Sequence, residues 1–105
     1  MATPRMTIPT QRVLRALLHG SDTYGAAIAT AAGLATGTVH PILARLEGIG
    51  WLTSEWEQIS PREAGRPARR HYELTPHGRE LARDALARAY RPPAGVRTSA
   101  ALGEL

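Results

Sequence analysis

At Gly50 the hydrophobic pattern of this 105-residue chain changes period, and that change constrains its fold more than any other feature. Before it, apolar residues recur at helical spacing. After it, from Trp51 to Glu57, the chain alternates, with Leu52 and Trp56 on one side and Thr53, Glu55 and Glu57 on the other. Arg69 to Leu74 alternates again, with Tyr72 and Leu74 inward. The eleven residues between, 58–68, contain Pro61, Gly65 and Pro67 and read as a loop. Two strands joined in this way form a hairpin with a protruding tip. The expected fold class is therefore α+β, mostly α, with one hairpin set into a small helical domain.

Four helices surround the hairpin in sequence. Residues 1–9, with two prolines, read as a flexible arm. A first helix is expected over Thr10 to His19, with Val13, Leu14, Leu17 and Leu18 on one face. Gly20, Ser21 and Asp22 break it. A second, short helix carries Tyr24, Ala27, Ile28 and Ala31 as an apolar stripe, with Thr23 or Asp22 as its cap, and ends at Gly33. A third begins near Thr36 to Thr38 and buries Val39, Ile42, Leu43, Leu46 and Ile49. Its opposite face holds Gly37, Pro41, Ala44 and Gly48, flanked by Thr38, His40 and Arg45. Thr75 caps a fourth helix with Pro76 at its first position, and Leu81, Ala82, Ala85, Leu86 and Ala89 form its apolar face. Glu80 with Arg83 and Asp84 with Arg88 are spaced to pair on its wet side. Pro92 and Pro93 end it, and residues 92–105 read as a disordered tail. The expected division is an arm (1–9), a core domain (10–75), a C-terminal helix (76–91) and the tail.

Composition excludes several functions. With no cysteine, disulfide frameworks, zinc fingers and thiol catalysis have no ligands or nucleophile. His19, His40, His71 and His77 show no metal-ligand spacing, so no metal is expected. No serine sits in a nucleophile elbow and no glycine-rich phosphate cradle precedes a helix, so neither an enzyme nor a cofactor is expected. No apolar run is long enough to span a bilayer and the N-terminus has no secretion-signal pattern, which points to the cytoplasm.

The charge is uneven. All 13 basic residues are arginine, which suits phosphate recognition but is accounted for more simply by coding bias in an alanine-rich chain. From Gln58 to Tyr72 there are four arginines (Arg62, Arg66, Arg69, Arg70) against Glu63 alone. A basic hairpin beside a helix, turn, helix unit fits DNA: the third helix enters the major groove while the hairpin meets neighbouring phosphates. Trp51 and Trp56 are expected to be core or hairpin packing rather than an effector pocket.

The stretch from Tyr24-Gly25 through Gly37-Thr38-Val39-His40-Pro41-Ile42-Leu43-Ala44-Arg45-Leu46-Glu47, then Gly50-Trp51-Leu52, Gly65-Arg66-Pro67, Tyr72-Glu73-Leu74-Thr75 and Gly78, resembles the PadR family of winged helix-turn-helix transcriptional regulators over about residues 8 to 90. The resemblance implies a homodimer, usually a repressor, on a short inverted repeat of double-stranded DNA. It places Thr36, Gly37, Thr38, His40 and Pro41 at the DNA end of the recognition helix, Tyr24 close to a phosphate and Arg66 as the wing contact. Arg45 flanks the groove face, within reach of a phosphate or a guanine edge. His40 stands where the family usually has tyrosine, so an imidazole replaces a phenol. Leu81, Leu86 and Tyr90 are the expected dimerisation residues, and the short C-terminal segment implies a weaker dimer or one that also uses the first helix. A small-molecule effector is left unspecified. The alternative is a winged-helix protein-interaction module, or a DNA-binding accessory factor of a mobile element; removing the wing arginines separates the module from a DNA reader.

Overall fold

The computed structural model describes residues 3–20 and 23–89. Expectations for Asp22, Tyr90 and the tail fall outside them. Helix α1 spans Ile8–His19, α2 Gly25–Ala32 and α3 Thr36–Gly48; β1 (Leu52–Trp56) follows, then a single helical turn, α4 (Pro61–Ala64), β2 (Arg70–Leu74) and α5 (Pro76–Ala89). The strands pair antiparallel, Leu52 opposite Leu74 and Trp56 opposite Arg70. This is the winged helix-turn-helix arrangement read from the sequence.

α1 starts two residues earlier than expected, and the arm before it is anchored. Thr7 caps the helix, its Oγ1 accepting from the Thr10 amide at 3.3 Å and donating to the Thr10 hydroxyl at 3.0 Å. Pro9, expected in the arm, sits within the first turn, where its missing N–H costs nothing. Gln11 Nε2 donates to the Met6 carbonyl at 2.8 Å, and Met6 packs against the core.

α2 departs most from its expected face. Gly25, Ile28, Ala29 and Ala32 are buried, whereas Ala31 is exposed. In an alanine-rich helix the stripe carries little free energy, so packing between α1 and α3 sets the rotation instead. Among the described residues no side chain caps this helix: Tyr24 is its N-cap residue, and Thr23 turns away to the hairpin. Its C-terminus closes sharply. Gly33 takes φ +70°, open to glycine at little cost, and the amides of Gly33 and Leu34 return to the carbonyls of Thr30 and Ala29 at 3.2 and 3.0 Å. The chain bends by 111° between α2 and α3, within the roughly 90–120° range of helix-turn-helix units.

α3 ends by the same device. Gly50 (φ +86°) and Trp51 donate to the carbonyls of Glu47 and Leu46 at 3.1 and 3.0 Å, which redirects the chain into β1. The core gathers Val13, Leu14, Ile28, Val39, Leu43, Leu46, Trp51 and Leu52 under α5. Truncating Leu43 or Leu46 to alanine is expected to cost about 2–5 kcal/mol, a large part of the roughly 5–15 kcal/mol that holds a domain together.

Thr75 caps α5 as expected, its Oγ1 accepting from the Gly78 amide at 2.8 Å. Gly78 is required there for space: a Cβ would collide with the Trp51 carbonyl, so α5 lies directly on the start of β1. On its wet face Asp84 and Arg88 pair at 2.6 Å; among the described residues Glu80 and Arg83 do not. No single helix among the described residues is long and apolar enough to cross a membrane.

Candidate nucleic-acid interface

α3 buries Val39, Ile42, Leu43 and Leu46 and leaves Thr36, Gly37, Thr38, His40, Pro41, Ala44, Arg45 and Gly48 exposed. The face predicted for DNA is thus outward. It is made of small residues, so backbone can approach a base edge closely. Pro41 lies inside the helix rather than in its first turn. Having no N–H, it leaves the Gly37 carbonyl, four residues earlier, without the usual intrahelical donor on that same face.

His40 extends from this helix over the start of α2. A Cβ on the buried Gly25 would lie 2.7 Å from His40 Nε2, so the Tyr24-Gly25 pair provides the gap into which the imidazole fits. Tyr24 and Gly25, Thr36 and His40 from the two helices, and Ala68 to Arg70 with Trp56 from the hairpin, enclose a cleft of about 500 Å³ between recognition helix and wing.

The wing is more ordered and less basic than its sequence suggests. Ser60 caps α4, accepting from the Glu63 amide, Pro61 occupies its first turn and Gly65 closes it, so the tip contains a helical turn where only a loop was expected. The Ser-Pro-x-Glu spacing is a capping signal, obscured when Pro61 and Gly65 are taken only as breakers.

At the wing base Glu57 acts as a hub. Its Oε1 accepts from Arg66 Nη1 at 2.7 Å and from the Arg69 amide at 3.0 Å, and Oε2 accepts from Arg66 Nη2 at 3.0 Å. The fork of Arg66 holds the Glu57 carboxyl down to about 2, with help from the Arg69 amide, against the opposing effect of partial desolvation. The same carboxylate raises Arg66 above the usual arginine value.

Arg70 is engaged as well. Its Nε donates to Ser54 Oγ at 2.9 Å; that hydroxyl donates to Glu47 Oε2 of α3 at 2.6 Å, with Arg70 Nη2 3.7 Å from the same oxygen. Its guanidinium also lies 5.4 Å from the Trp56 ring centroid, and that of Arg69 lies 4.3 Å over Tyr24.

These contacts correct the wing as read from sequence. Arg66 and Arg70 are not free basic contacts: each is held by a carboxylate that lies outside the basic segment 58–72. Four arginines face three carboxylates, Glu47, Glu57 and Glu63. Arg62 at the tip is exposed and among the described residues has no acid within 4 Å. The base of the wing is bolted to the residue just before the N-cap of α2, by the Tyr72 amide on the Thr23 carbonyl (2.9 Å) and by Thr23 Oγ1 against His71 Nδ1 (2.8 Å). His71 is therefore a joint between hairpin and helix, a role its place on an alternating strand does not signal.

Trp51 is core, as expected, at 1% exposure, but Trp56 is not: it is 54% exposed, beyond the reach of the core at the open end of β1. Of the expected dimerisation residues, Leu81 is half-buried and Leu86 is turned inward, 9% exposed within its own chain's core. Leu86 packs beside Ala82 and Ala85 and has little surface left for a second subunit. Among the described residues no group of His, Asp or Glu has the geometry of a metal site.

A sequence profile of the transcriptional regulator PadR-like family matches residues 13–84. No curated protein matches the chain. Among solved structures it is similar to a PadR-like transcription factor from Bacteroides fragilis, with 28% identity, 74% of this chain and 77% of that one covered, and a TM-score of 0.57. It is similar in fold to MepR, a transcription regulator of the Staphylococcus aureus multidrug efflux pump MepA, at 20% identity and TM-score 0.59. That match covers 80% of this chain and 57% of MepR, so the chain spans little more than half of that regulator. A further likeness of fold is to Bordetella bronchiseptica BpsR, whose DNA binding is regulated by 6-hydroxynicotinic acid: 17% identity, 99% and 77% coverage, TM-score 0.63.

Proposed function

Since this chain belongs to the PadR-like family of transcriptional regulators, we propose that it is a repressor that binds an inverted repeat of double-stranded DNA as a homodimer. The observation that carries this reading is the outward, small-residue face of α3 with an ordered wing beside it. A groove-entering helix needs a face without bulk, and a wing needs a fixed angle to it.

In the complex, Thr36, Gly37, Thr38, His40 and Pro41 lie against base edges, and Arg45 reaches a phosphate or a guanine. Tyr24, Arg62 and Arg69 meet the backbone on the wing side. Arg66 and Arg70 contribute mainly by fixing the wing, with the outer part of each guanidinium left to the phosphates. Half-sites then lie about one helical turn apart, ~10 base pairs. α5, through Leu81 and the segment beyond it, and α1 supply the contact between subunits. A small-molecule effector of such a dimer would act by changing the spacing of the two recognition helices.

The test is selection from a random duplex library, followed by gel-shift titration of the enriched duplex and a scrambled control at two salt concentrations. The expected result is specific binding that weakens with salt, with a two-fold symmetric footprint. Failure to enrich any duplex at low salt would overturn the reading and favour a protein-interaction module.

A further inference from the structure

Resting on the reading of α3 as the groove helix, we propose that the N-terminal arm and α3 form a second DNA-phosphate seat, on the flank of α3 away from the wing, with Arg5 and Arg45 as its cations. The major groove has two walls, one from each strand, about 12 Å apart, and a helix of roughly 10–12 Å fills it and brings both flanks near phosphates. The wing accounts for one wall only.

At 3.6 residues per turn, Thr36 and His40 lie on one flank of α3 and Thr38 and Arg45 roughly 170° round from them. The first flank faces Tyr24 and the wing arginines. The second faces the arm across a separate cleft of about 480 Å³, lined by Arg5, Thr7 and Pro9 on one side and Thr38, Pro41 and Arg45 on the other. Arg5 is held there by its neighbours: Met6 is packed into the core and bonded by Gln11, and Thr7 is the cap of α1. Both arginines are exposed, and among the described residues neither has a carboxylate within 4 Å. Unlike Arg66 and Arg70, they have no carboxylate partner among the described residues to give up when a phosphate arrives.

The test uses the full chain and the duplex enriched by the wild type. Arg5→Ala and Arg45→Ala should each weaken binding roughly five- to tenfold near 0.1 M salt and make the slope of log K against log[salt] shallower by about one. Arg5→Lys should keep the slope, and Arg79→Ala, the same charge loss in the first turn of α5, should change neither. Phosphate ethylation interference should show contacts on both strands flanking the half-site, with Arg5→Ala losing those on one strand only. All variants should keep the wild-type Tm. Unchanged slope and interference in both Arg5→Ala and Arg45→Ala would overturn the second seat while leaving α3 as the reading helix. A wild type that enriches no duplex would remove the reading of α3 and this inference with it.

Discussion

The two flanks of α3 use their arginines differently. On the wing side Arg66 is forked onto Glu57 and Arg70 is tied through Ser54 to Glu47. On the arm side Arg5 and Arg45 have, among the described residues, no acid within 4 Å. The wing flank commits two of its four cations to holding a shape, and the arm flank leaves both of its own for a partner. A run of arginines in a sequence is therefore a poor guide to where available positive charge lies, because the acids that neutralise it can arrive from another strand or helix.

The comparison can be broken most directly at Glu57. Glu57→Gln removes a negative charge from the DNA side, so charge counting alone predicts tighter binding. If Glu57 instead holds the wing, affinity for the enriched duplex should fall by about tenfold, the size of a lost phosphate contact or two. A gain in affinity would show that the wing needs no such hub. Next in size is Gly25→Ala. Its Cβ would press on the outer end of His40, a movable group, so the imidazole should swing and binding should fall roughly threefold to fivefold, with a Tm change of only a few degrees. Arg62→Ala should come below that, at roughly twofold to threefold with a salt slope shallower by about one, because a single exposed tip cation makes one phosphate contact.

The smallest effect is the acid response of the wing. A carboxyl held at about 2 when folded, against 4.5 otherwise, adds stability that is fully present above pH 4.5. That contribution is lost as pH falls from 4.5 towards 2. Protection of the Arg69 amide, which bonds Glu57 Oε1, measured against its intrinsic exchange rate at each pH, should hold until that window and fall within it. In Glu57→Gln the same amide should show no such step. Identical profiles in both proteins would mean that the carboxylate does not close the wing.

Much of this fold is legible in the sequence because strong periodicity and capping are local. Val39, Ile42, Leu43 and Leu46 identify one face of α3 without reference to anything else, and Thr75-Pro76 marks the start of α5. The buried face of α2 is not legible, because alanines give a weak stripe and its rotation depends on neighbours. Nor is the anchoring of the arm, because Gln11 reaching back to Met6 leaves no compositional mark. At the site, the outward residues of α3 follow from its buried ones. The Glu57–Arg66 and Glu47–Ser54–Arg70 links do not, because they depend on strand register and on the angle at which the wing meets α3. Gly25 and Gly78 do carry a signal: each stands where another part of the chain comes too close for a Cβ.

The placement of the two tryptophans makes the molecule its own optical instrument. Trp51 is sealed in the core, and Trp56 is half open at the wing beside the Arg70 guanidinium. The emission of Trp51 should be blue-shifted and should respond only to unfolding, whereas that of Trp56 is accessible to aqueous quenchers and to nucleobases. In a Trp51→Phe background, light from the wing alone would report its docking on a duplex, and in a Trp56→Phe background the same titration should leave the spectrum unchanged. Folding and docking thus occupy separate channels of one spectrum, with no label attached.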